Sequence, residues 1–100
     1  MSRITLIQRN IEWLNIDANL TSVATMLEGV NTDVVVLSEM FQTGFATNPT
    51  NVADNGKTLE WMLQMAKRLD AAIVGSCAVK VGDEFRNRMY FVKPTGEVEY

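Results

Sequence analysis

Four apolar residues, Val34, Val35, Val36 and Leu37, follow one another between Asp33 and Ser38 with no polar interruption. A strand with one wet face alternates apolar and polar side chains, so an unbroken β-branched run predicts a strand covered on both faces, as in a parallel sheet. A parallel partner cannot be reached by a tight turn and needs a crossover, usually helical. The preceding sequence supplies both pieces. Arg3 to Gln8 reads as a strand, with Ile4, Leu6 and Ile7 as its apolar surface and Thr5 adding β-branched character. After a short connection through Trp13, Ile16, Leu20, Val23, Ala24 and Leu27 recur at helical spacing, while Asn19, Ser22, Thr25 and Glu28 fall elsewhere on the wheel. Asp17 stands at the expected N-cap and Gly29 at the expected stop. Strand, helix and strand make a βαβ unit.

The rest of the chain extends that unit. Thr43 to Pro49 has the composition of a loop, which Asn51 to Gly56 prolongs. A second helix is expected from about Lys57 to Leu69, with Leu59, Met62, Leu63, Ala66 and Leu69 on one face. A third strand from Ala72 to Val81 stops at Gly82 and Asp83, and a fourth runs from Phe85 to Val92. Pro94, Thr95 and Gly96 signal a turn, after which Glu97 to Tyr100 begins a fifth strand. The predicted order is β-α-β-α-β-β-β, an α/β class with the last connections antiparallel. Met26, Met40, Met62, Met65 and Met89 all fall in apolar segments and are expected as core filler. A sheet of this kind at 100 residues leaves long edges unpaired, so residues 1–100 are expected to be the first part of a larger α/β domain.

Composition narrows the chemistry. The chain has no histidine and one cysteine, Cys77, which excludes a Ser-His-Asp triad or a zinc site of Cys/His pairs within it. Any catalysis has to rest on carboxylate, lysine or thiol. Nine Lys and Arg against twelve Asp and Glu give a net charge of −3 with the signs interspersed, which argues against a nucleic-acid partner. No apolar run suits a membrane span, and a lone cysteine fits a reducing, cytoplasmic setting.

Glu39 is the leading candidate for chemistry. It follows the carboxyl end of a parallel strand, where open α/β sheets bind ligands, and the apolar run before it predicts partial desolvation, a setting that improves a carboxylate as proton acceptor. Phe41, Thr43, Gly44 and Phe45 are expected to shape the pocket mouth beside it, with core packing as the other reading of Phe41. Cys77 shares a strand face with Ile73, Gly75, Val79 and Val81, which predicts a buried and inert thiol. Asn87 shares a face with Phe85, Met89 and Phe91 and is expected to be a buried structural amide. Lys80 and Lys93 read as solvated strand-end or turn residues.

Residues 33–45 read DVVVLSEMFQTGF, and this stretch resembles the first catalytic motif of the nitrilase superfamily of carbon–nitrogen hydrolases, in particular its omega-amidase branch. The order of the other signals agrees: the first strand ending at Gln8, Trp13, the helix into Asp33, Leu59 to Leu69, the IVGS of Ile73 to Ser76, then Asn87, Tyr90 and Phe91 before Pro94 and Gly96. Ser38 departs from the pattern, since the family usually has proline there. The resemblance covers the N-terminal third or so of a family domain and implies a four-layer α-β-β-α sandwich that commonly dimerises. It also implies a Glu-Lys-Cys mechanism needing no cofactor or metal, with a small-molecule amide as substrate. Only the glutamate carries over, to Glu39; the lysine and cysteine motifs are expected beyond Tyr100. The competing expectation is a small noncatalytic α/β binding module that pairs a partner along its open sheet edge after Val92.

Overall fold

The computed structural model describes residues 3–8, 11, 15–43 and 56–100. Trp13, Gly44 and Phe45 lie outside these described residues. The elements are β1 (Ile4–Ile7), α1 (Ile16–Met26), β2 (Val34–Leu37), α2 (Lys57–Leu69), β3 (Ala72–Val81), β4 (Glu84–Val92) and β5 (Val98–Glu99). This is the α/β order the sequence predicts. The strands form one sheet in chain order, β1-β2-β3-β4-β5. The first three are parallel, with Thr5 opposite Val35 and Val35 opposite Ile73. β3 and β4 are antiparallel, with Ser76 opposite Met89 and Ala78 opposite Asn87, and β5 pairs antiparallel with β4.

Two consecutive crossovers of the same hand put both helices on one face of the sheet. There the core forms: Leu20, Val23 and Leu27 from the α1 region and Met62, Met65 and Ala66 from α2 pack on Ile7, Val35, Leu37, Ile73, Cys77, Tyr90 and Val92. The opposite face holds Ile4, Leu6, Val34, Val36, Val74, Met89 and Phe91. Its large side chains stand open, with Ile4 64%, Leu6 69% and Met89 61% exposed. β2 is therefore buried on its helix side and half-buried on the other, where the unbroken apolar run predicts cover on both. No described element of the chain lies over that second face.

Local details depart from expectation in three places. The N-cap of α1 is Asn15, whose Oδ1 accepts from the N–H of Ala18 at 3.1 Å; Asp17 sits in the first turn and pairs with Lys57 of α2. Asn19, on the polar side of the predicted wheel, is fully buried. Met40, Met62 and Met65 are core residues, but Met26 and Met89 are exposed, because hydropathy marks an apolar segment without saying whether anything packs on it.

Candidate active site

β2 ends at Leu37, and residues 39–43 fold back in a turn beneath α1. The N–H of Thr43 donates to the carbonyl of Met40 at 3.2 Å, and Met40 takes a positive φ of 49°. A non-glycine residue rarely adopts that conformation, so its surroundings must hold it there. Two of them do. On β3, Ser76 accepts the buried N–H of Met40 on its Oγ at 3.1 Å. On α1, Asn19 Nδ2 donates to the carbonyl of Gln42 at 2.7 Å. A third contact reaches the side chain of interest: Asn87 Nδ2 on β4 donates to Glu39 Oε1 at 2.7 Å. An ionised carboxylate only accepts hydrogen bonds, so the Asn87 atom that touches it must be the N–H donor.

Glu39, Ser76, Asn87, Met89 and Leu37 line a cavity of about 240 Å³. Ser76 and Asn87 reach it together because the antiparallel register places them on the same sheet face, diagonal to each other across the β3–β4 pair. Glu39 is exposed, not partly desolvated as the strand before it suggests, because the turn carries it past the sheet end to the uncovered face. Asn87 is likewise exposed rather than buried.

Phe41 and Thr43 are buried and are not among the residues lining this cavity. The Phe41 ring lies 5.7 Å from the Trp61 ring, centroid to centroid, at a 40° tilt, and its other side meets β3 at Gly75. A methyl group at Gly75 would come within 3.0 and 3.2 Å of ring carbons of Phe41, so glycine is what lets the ring lie on the strand. Cys77 is buried and faces the helices, on the side of β3 away from Ser76. Lys93 lies in the β4–β5 connection, where its Nζ donates to Glu97 Oε2 at 3.1 Å and approaches Glu99. The groups gathered at the cavity can thus orient a carboxylate and move a proton; the one hydroxyl among the described lining residues, that of Ser76, accepts the N–H of Met40, and they include no thiol and no amine.

Of the residues that build the site, sequence reasoning singles out Glu39 and misses the roles of Asn19, Ser76 and Asn87. The local signal is slight: Ser76 and Asn87 are polar residues whose neighbours at alternate strand positions include apolar ones, Asn19 sits one position before Leu20 of the apolar helix face, and a buried or paired polar group must find a partner.

Comparison with known proteins bears on the whole chain. The carbon-nitrogen hydrolase family model matches residues 3–99. Omega-amidase YafV of Yersinia enterocolitica is 38% identical over 98 residues, covering 96% of this chain and 38% of the relative. Its namesake in Escherichia coli K12 is 36% identical over 101 residues, covering 98% and 39%. The chain therefore spans less than two fifths of the length of these relatives. Among solved structures, a CN-hydrolase superfamily protein of Xanthomonas campestris, with an arsenic adduct in its active site, superposes with a TM-score of 0.92 at 30% identity, over 99% of this chain and 39% of that one. Nit3 of Saccharomyces cerevisiae, in branch 10 of the nitrilase superfamily, shares the fold with a TM-score of 0.81 at 20% identity, over 97% and 41%. The match runs from the first described strand to the last and takes in the turn that carries Glu39, and on this ground the chain belongs to the carbon-nitrogen hydrolase family.

Proposed function

We propose that this chain is the N-terminal segment of an amide-hydrolysing domain and that Glu39 is its general base. The observation that carries the reading is the carboxylate of Glu39, set just past a parallel strand, anchored by Asn87 and open to a cavity. The omega-amidase relatives support, as substrate, the terminal amide of a small ω-amido acid.

In the proposed reaction Glu39 takes the proton of a cysteine thiol supplied by a later segment, and the thiolate attacks the amide carbon. A lysine from the same later segment stabilises the charged tetrahedral intermediate. Glu39 passes the proton to the departing ammonia, leaving a thioester. It then takes a proton from the water that cleaves that thioester and returns it to the departing thiolate, so that the acid is released and both the thiol and the Glu39 carboxylate are restored. Neither the lysine nor the cysteine is among the residues lining the cavity, so the 100-residue chain alone is inactive in this reading. The apolar face bearing Ile4, Leu6 and Met89 is where the second sheet of the domain packs.

The test is ammonia release from the monoamide of a short dicarboxylic acid by the complete protein and its Glu39→Gln variant. Loss of turnover with unchanged thermal unfolding is expected. Wild-type turnover in Glu39→Gln would overturn the reading. The isolated chain should self-associate and bind a hydrophobic dye where the complete protein does not.

A further inference from the structure

We infer that Asn87 is a positioning residue for the proton transfer, holding Oε1 of Glu39 so that Oε2 is the oxygen that accepts the proton. The inference rests on the reading of Glu39 as general base. The backbone of the turn is already fixed, by Ser76 at the N–H of Met40 and by Asn19 at the carbonyl of Gln42. Neither contact restrains the side-chain torsions of Glu39, which is exposed and otherwise free to turn among rotamers. Among the described residues, the 2.7 Å bond from Asn87 Nδ2 is the contact that does. It comes from β4, a strand whose register against β3 is fixed over nine residue pairs from Ile73↔Val92 to Val81↔Glu84, so the donor sits on a rigid element rather than on a loop. An amide also suits this role, because it donates without carrying charge and so orients the carboxylate without forming the ion pair that would hold its proton off.

A base misplaced by a fraction of an ångström loses catalysis rather than binding. In the complete enzyme, Asn87→Ala is therefore expected to lower kcat by roughly 10- to 100-fold with KM nearly unchanged. Asn87→Asp keeps the shape but replaces the donor with a second carboxylate, and should lose at least as much; a merely space-filling role would be preserved by it. In a Glu39→Ala background, Asn87→Ala should cause no further loss, because the two residues act as one unit.

The outcomes separate cleanly. If Glu39→Gln abolishes turnover but Asn87→Ala and Asn87→Asp keep wild-type kcat, the positioning role is wrong and the general base stands. If Glu39→Gln keeps wild-type turnover, the base assignment fails and the positioning role with it. Should the Asn87 variants not fold, the unaltered side chain can be observed instead. Glu39→Gln is expected to shift the Asn87 side-chain amide resonances more than those of any other asparagine, and resonances left in place would overturn the inference.

Discussion

Replacing Gly75 with alanine tests whether the turn carrying Glu39 is braced from below. The new Cβ would stand 3.0 and 3.2 Å from ring carbons of Phe41 and 3.3 Å from Cβ of Leu37. Carbon atoms prefer separations of about 3.5–4.0 Å, so the ring must retreat by up to about 0.5 Å. Leu37 Cβ is tied to the paired backbone of β2, so the ring has to give, and it packs against Trp61. Overpacking of this size costs about 1–3 kcal/mol, against which alanine recovers about 0.5–1 kcal/mol of strand preference over glycine. The net expectation is a destabilisation of roughly 1 kcal/mol, which lowers Tm by about 2–4 °C in a domain of 150–250 residues. Differential scanning calorimetry of the complete protein and the Gly75→Ala variant measures it. The double variant Gly75→Ala/Phe41→Leu should recover part of the loss, since the two sites are in contact. A Gly75→Ala protein that melts at or above the wild type would refute the reasoning, by showing that the ring gives way at no cost.

Three further substitutions probe the same region. Asn19→Ala strands the buried carbonyl of Gln42 and should cost about 1–3 kcal/mol in urea unfolding. Among the described residues neither amide atom of the buried Gln42 side chain has a hydrogen-bond partner, so Gln42→Leu, similar in volume and without polar atoms, should match or raise wild-type stability in the same titration. Cys77→Ala in the complete enzyme should retain wild-type kcat while melting lower, because its thiol packs among the helices; lost turnover with intact folding would make it a second reactive group.

Much of this was open to reading in the chain. The element order, the parallel β1-β2-β3 core and the position of Glu39 follow from periodicities and from where an apolar run stops, which are local properties. What escaped reading is non-local. Asn19 looks like a solvent residue on a helical wheel, yet it is the donor that satisfies a carbonyl 23 residues further on. Asn87 looks like a buried amide because its neighbours at alternate positions are apolar, yet that face of β4 is open and the partner is Glu39, 48 residues earlier. The exposure of Met89 has the same origin. Alternation assigns a residue to a face but does not say whether the chain covers that face.

The strand order carries a consequence for how the protein is made. Each strand of this sheet lies beside the one before it in the chain, so every pairing becomes available as soon as the next strand leaves the ribosome. Growth needs no insertion between strands already laid down, and the two crossover helices close the same side as they arrive. Synthesis then presents an open apolar surface early, with Ile4 and Leu6 displayed on β1 from the first pairing onward. In the proposed larger domain, the interval before a second sheet covers that surface is when nascent chains can stick to one another or call on a chaperone, and its length is set by the pace of translation.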